Sequence, residues 1–87
     1  MRMRRSLHSQ GYASAVEVLV DSRHKAGLTQ RALAEKLGKP RSFVSKIESG
    51  ERRIDVIEFI VIVRALGMAE TDAIRAIAAA LPKRIEI

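Results

Sequence analysis

GLTQRALAEKLGKPRSFVSKIESGERRIDVIEFIVIVRALG, residues 27–67, is the stretch whose reading decides how this chain folds. Glycines at 27, 38, 50 and 67 separate blocks in which apolar residues recur at helical spacing. Thr29 can cap a helix, its hydroxyl accepting from the backbone N–H of Arg31 or Ala32. That helix carries Leu33, Ala34 and Leu37 and ends at Gly38. Lys39-Pro40 interrupts the chain, and the spacing predicts a further helix over about 41–49, with Val44 and Ile47 facing inward and Gly50 as its stop. Two short helices joined by a glycine-containing turn have the spacing of a helix-turn-helix. The motif also needs a small residue where its helices touch, a left-handed turn residue, and aliphatics pointing inward. Ala34, Gly38, and Leu33, Leu37, Val44 and Ile47 meet those needs.

On the N-terminal side, Tyr12, Val16, Leu19 and Val20 mark one face of a first helix over about 11–26. On the C-terminal side, Asp55 is placed to cap a fourth helix over about 56–66, whose core face reads Val56, Phe59, Ile60, Val63 and Leu66. A fifth helix over about 71–81 aligns Ile74, Ile77, Ala78 and Leu81, with Pro82 beyond it. No strand-like alternation is long enough to build a sheet, so the expected fold is all-α with five helices. The expected organisation is a basic arm at 1–10, a helix-turn-helix domain at 11–81 with the motif at 30–49, and a tail at 82–87.

Eighty-seven residues make one small domain, which buries a modest fraction of its surface and gains from association with a second copy. The absence of cysteine removes disulfides and thiolate metal sites. Apolar runs such as Phe59–Val63 fall far short of a membrane span, and the basic start lacks an apolar segment behind it. A soluble, cytoplasmic protein without cofactor or metal is the expectation. His8 and His24 are isolated, and no Ser/His/acid set or glycine-rich phosphate loop is present, so catalysis is not expected either.

The net charge of +6 is unevenly placed. Residues 1–53 hold 12 Lys or Arg against 5 Asp or Glu, whereas residues 54–87 hold 4 against 5. A polyanion partner accounts for a basic first half, because neutralising phosphates releases counterions; plain solvated surface charge is the alternative. A 100° step per residue puts Arg41, Ser42, Ser45, Lys46 and Ser49 on the side of the third helix away from Val44 and Ile47. Arg41 and Lys46 can donate to guanine O6 and N7, and Ser42 and Ser45 to several base edges. Ser49 reads better as a phosphate contact. Gln30 on one side, and Arg52 and Arg53 on the other, are placed to clamp the phosphate backbone, with Lys39 and Arg31 in reserve. Arg2, Arg4 and Arg5 form an arm that either follows DNA or is a disordered terminus.

The stretch 27–67 resembles the Cro/C1-type, or XRE-type, helix-turn-helix regulators over about half the chain. That resemblance implies a five-helix, lambda-repressor-like domain that dimerises on pseudo-palindromic double-stranded DNA, with the third helix reading bases. It supports the phosphate role of Gln30. It also implies an internal salt bridge between Arg23, which continues the apolar stripe of the first helix, and Glu48, at the core edge of the third. Val61 departs from the family's pattern, where a charged or polar residue is more usual.

Ile57, Val61 and Ala65 form a second apolar stripe on the fourth helix, opposite its core face. Either the fifth helix or a partner subunit must cover it. The preferred reading is a homodimer interface shared by Ile57, Val61, Ala65, Ile74 and Ile77. The leading functional expectation is a transcriptional repressor acting on an inverted repeat. The alternative is an antitoxin-type protein that neutralises a toxin and controls its own promoter, with Ile85 and Ile87 alternating like a short strand that could extend a partner's sheet.

Overall fold

The computed structural model describes residues 9–86. The arm arginines Arg2, Arg4 and Arg5, together with His8 and Ile87, lie outside the described residues. Five α-helices follow in order: α1 (Gln10–Lys25), α2 (Gln30–Leu37), α3 (Arg41–Glu48), α4 (Val56–Ala65) and α5 (Glu70–Ala80), with no strand among the described residues.

Polar side chains start three of these helices by satisfying amide groups that the first helical turn leaves unpaired. Ser9 Oγ accepts from the Tyr12 amide at 3.1 Å, and Thr29 Oγ1 from the Ala32 amide at 3.0 Å. At α4 the cap is reciprocal: Asp55 Oδ1 accepts from the Glu58 amide at 2.7 Å while Glu58 Oε1 accepts from the Asp55 amide at 3.0 Å. The turn between α2 and α3 depends on Gly38, whose φ of 68° is left-handed backbone that a side chain would strain. Its amide bonds back to Glu35 O, and the Lys39 amide to Ala34 O, closing α2 just before Pro40 turns the chain into α3.

The core has two lobes that share α4. Leu33 and Ala34 of α2 and Val44 and Ile47 of α3 pack with Ile62 and Leu66. On the other side, Leu19 of α1 and Ala73 of α5 pack with Val63, which has no exposed surface. Each large aliphatic buried in this way contributes on the order of 1.5–3 kcal/mol. Ala34, 1% exposed, is the small residue that lets α2 and α3 approach.

Two apolar faces differ from the sequence reading. Val56, expected in the core, is 73% exposed in the first turn of α4, and Ile62, outside the expected face, is buried. A helix that is apolar all round leaves its inward face to be chosen by its neighbours, and here the α2–α3 pair presses on the Ile62 side. In α5 it is Ala73 that turns fully inward, so Ile74 is 55% exposed, Ala78 is exposed, and Ile77 and Leu81 are half-buried. A small side chain suits the close approach of α5 to Leu19 and Val63. The α4 stripe is also uncovered by α5: Ile57 is 68% and Val61 48% exposed, with Ala65 half-buried against the first lobe.

The segment after α5 folds back onto the start of α1. A Cβ on the buried Gly11 would stand 3.5 Å from Leu81 Cδ2 and 3.6 Å from Ile85 Cγ2.

Ile62→Ala is expected to cost about 2–5 kcal/mol in urea unfolding, as for other buried aliphatic truncations. Val56→Ala is expected to stay within about 0.5 kcal/mol, as for exposed positions. Equal costs would show the inward face of α4 to be misassigned.

Candidate nucleic-acid interface

The outer face of α3 is built by default, because Val44 and Ile47 fix which side of the helix is buried. Arg41, Ser42, Lys46 and Ser49 are exposed and Ser45 half-buried. Ser45 Oγ donates to Ser42 O at 3.3 Å and Ser49 Oγ to Lys46 O at 3.2 Å, so each hydroxyl rests against its own helix. The face carries three short hydroxyls and two long cations.

Behind it runs a hydrogen-bonded chain that ties α3 to α1 and α2. Arg23, only 6% exposed, donates from Nε to Glu48 Oε2 at 2.7 Å and from Nη2 to Glu48 Oε1 at 2.9 Å. Its Nη1 donates to Leu28 O at 2.8 Å, which fixes the α1–α2 turn as well. Gln30 Nε2 donates to the same Glu48 Oε1 at 2.9 Å, and Gln30 Oε1 accepts from Arg41 Nη2 at 3.3 Å. The chain Arg41–Gln30–Glu48–Arg23 therefore leads from an exposed guanidinium to a buried ion pair. The salt bridge that the family resemblance implied between Arg23 and Glu48 is formed. An open concavity beside this chain is lined by Arg23, His24, Gln30, Arg31 and Arg41 and by the turn Gly27–Thr29, which puts several donors around one dent in the surface.

On the far side of α3 the loop at residues 49–55 is held by contacts that sequence reasoning missed. Arg52 donates from Nη1 to Glu58 Oε1 at 2.9 Å and from Nη2 to Glu58 Oε2 at 2.8 Å, and also to Arg53 O. Its guanidinium lies 4.7 Å from the centroid of the Phe43 ring, and Lys39 Nζ lies 5.4 Å from the same ring. Arg53 sits 4.3 Å over the Tyr12 ring, whose hydroxyl accepts from the Ile54 amide at 3.3 Å. Arg53 is exposed, whereas Arg52 is half-buried and committed to Glu58. Spacing marked Arg52 and Arg53 as equivalents, and packing divides them. The sequence held one weak signal, scarcity: with one Tyr, two Phe and no Trp in the chain, each ring is worth placing, although nothing in the spacing ties Tyr12 to the arginines.

Glu58 serves two partners, and its carboxyl is held down at about 2, first by the Arg52 guanidinium and then by the Asp55 backbone N–H. Arg64 forms a similar but more exposed pair with Glu70 across the α4–α5 turn, and it lowers the Glu70 carboxyl. Among the described residues no His, Cys, Asp or Glu cluster has the arrangement of a metal site, and no helix is long and apolar enough to cross a membrane.

A family model described as helix-turn-helix matches residues 21–74. Among solved structures, the XRE-family like protein from Pseudomonas syringae pv. tomato str. DC3000 is 38% identical and superposes with a TM-score of 0.79. The alignment covers 94% of this chain and all of that one. The clp gene regulator ClgR from C. glutamicum shares the fold at 22% identity and a TM-score of 0.72, over 83% of this chain and 92% of that one. No curated protein matches the sequence.

The Glu58 geometry has a consequence for acid stability. Its folded pKa lies below the ordinary value of 4.5, so the unfolded chain binds the proton more readily. The stabilisation is then complete above about pH 4.5 and is lost as pH falls toward 2. Glu58→Gln is expected to flatten that part of the stability profile in urea titrations between pH 2 and 6. An unchanged acid limb would mean that the Arg52 pair contributes nothing in solution.

Proposed function

This chain belongs to the Cro/C1-type, XRE family of DNA-binding helix-turn-helix transcriptional regulators, and we propose that it is a repressor acting as a homodimer on an inverted-repeat operator. The observation that carries this reading is the chain from Arg41 through Gln30 and Glu48 to buried Arg23. A base-reading side chain loses entropy on binding DNA unless it is already oriented. Here Arg41 is oriented by the same glutamine that the reading assigns to a phosphate.

In this reading α3 enters the major groove. Arg41, Ser42, Ser45 and Lys46 meet base edges, with Arg41 placed for guanine O6 and N7. Lys39 and Ser49 meet phosphates, Gln30 does so only through the N–H that its bond to Glu48 leaves over, Arg53 does so from the following loop, and Arg52 reaches the backbone only at the expense of its pair with Glu58. The phosphate contacts set register and the groove contacts set sequence.

The second copy is supported by Ile57, Val61 and Ile74, large apolar side chains that the chain itself leaves exposed. Ala65 and Ile77, half-buried beside them, extend the proposed contact. Because a two-fold interface places identical recognition helices at a fixed separation, the operator is expected to be a palindrome with half-sites about one helical turn apart. Selection of bound sequences from a random duplex pool tests this directly. Recovery without a palindrome would favour the interaction-protein alternative with a toxin partner.

Two substitutions separate the roles. Arg41→Ala is expected to cost about 1–3 kcal/mol on the operator and relax the preference at one base pair, while Arg53→Ala weakens all sequences alike and lowers the salt slope by about one. If both variants lose specific and non-specific binding in equal measure, the division of labour fails.

For assembly, Val61→Glu is expected to give a folded monomer in sedimentation equilibrium, since a charge at a half-exposed site disturbs a subunit contact and not the core. A persistent dimer would remove this stripe from the interface.

A further inference from the structure

We infer that the concavity at the α1–α2 turn seats a phosphate of the DNA backbone, and that His24 takes up a proton when the seat is filled. The inference rests on the DNA-binding reading above and adds a residue that the helix-turn-helix itself does not call for.

His24 is exposed near the end of α1, yet its ring is engaged. Its Nε2 lies 3.3 Å from Arg23 Nη2. A guanidinium can only donate, so Nε2 accepts in this contact and carries no proton there in the free protein. The same Arg23 nitrogen donates to Glu48 Oε1 at 2.9 Å. His24 therefore joins the outer side of the buried ion pair that holds α3.

The surroundings oppose a charge on this ring. The concavity is lined by three guanidinium side chains, Arg23 of α1, Arg31 of α2 and Arg41 of α3, together with Thr29 and Gln30. Among the described residues no carboxylate lines it, and Glu48 of α3 stands behind Arg23, engaged by Arg23 and Gln30. Asp21 and Lys25, the charged neighbours of His24 on its own helix, line a different hollow with Val18 and Met68. Protonation of His24 in the empty concavity replaces an accepting contact by a repulsive one and adds a cation to the three already there.

A phosphate reverses that balance. Its charge favours the imidazolium, and its oxygens accept from the new Nε2–H, whose proton comes from solvent. The Arg23 N–H that His24 gives up then faces the same anion. Gln30 and Arg41, set against the backbone and a base edge in the reading above, border the same concavity, so a strand in contact with both runs beside it. A complex that holds one proton more than its free components tightens as pH falls.

The test uses the full chain, a selected operator and an unrelated duplex, titrated in a salt series between about pH 8 and about pH 5, where an imidazole changes charge. Toward the acid end the affinity for both duplexes is expected to rise by up to roughly tenfold at about 0.1 M salt, and the salt slope by about 0.9, the gain of one phosphate contact. Because His24 is exposed, its substitution leaves the core intact. His24→Gln is expected to remove the response and hold both duplexes at the alkaline level. His8→Gln, which changes the other histidine of the chain, is expected to leave the response in place. Nitrogen NMR of the His24 ring is expected to show Nε2 protonating at higher pH in the complex than in the free protein.

A response that survives His24→Gln, a response confined to the operator, or a ring whose protonation ignores the duplex overturns the inference while DNA binding stands. Protonation moved by inorganic phosphate but not by duplex overturns the assignment to DNA. A wild type that binds neither duplex overturns the seat and the DNA-binding reading together.

Discussion

Arg23 and Glu48 meet where three helices converge, and the pose of α3 depends on that meeting. A guanidinium 6% exposed costs several kcal/mol to desolvate, so it persists only where hydrogen bonds replace its water. Arg23 recovers them from both Glu48 oxygens and from Leu28 O. Among the described residues no buried side-chain nitrogen or oxygen lacks a partner, so the desolvation is compensated throughout. What the pair contributes is direction more than stability. A buried apolar contact tolerates small rotations of α3 about its own axis, whereas a two-pronged ion pair does not.

The same pair determines what the adjacent polar groups can do. Glu48 Oε1 accepts hydrogen bonds from both Arg23 and Gln30, so the Gln30 amide is turned with its nitrogen inward and its oxygen toward Arg41. An uncommitted glutamine at that site would be free to flip. The buried charge thus sets the hydrogen-bond sense of an exposed side chain two steps away, and the outermost member of the series is a cation on the face of α3. On the opposite flank Glu58 has the equivalent position, since it caps α4 and fixes Arg52 with the same carboxylate.

The parts of this arrangement that were readable in the sequence are those governed by one dominant local rule. Thr29, Gly38, Ala34, Val44 and Ile47 each answer a requirement of backbone geometry or helix contact that few residue types meet, and the structure finds them in those roles. Helix α4 was misread because VIEFIVIVRA is apolar on every side, so periodicity could not choose between Val56 and Ile62. In α5 the sequence aligned Ile74, Ile77, Ala78 and Leu81 and passed over Ala73, the small residue that packs fully inward. The contacts of Tyr12 and Phe43 with the loop arginines join residues dozens of positions apart or on successive elements, and no spacing rule encodes them.

Those contacts also change what the charge distribution means. The basic first half of the chain suggested a polyanion partner, yet charge counted along a sequence does not distinguish a cation facing solvent from one consumed within the fold. Arg23 is spent on Glu48 and Arg52 on Glu58, and both lie in the basic half. The outward field comes from the cations left exposed, Arg31, Lys39, Arg41, Lys46 and Arg53 among them. The internal pairs shape that field indirectly: each cancels its own charge while fixing the backbone of the segment that carries it. A helix-turn-helix domain this small can therefore devote some of its arginines to architecture without losing attraction for phosphate, provided that the cations it leaves outside are held in register with the helix that reads.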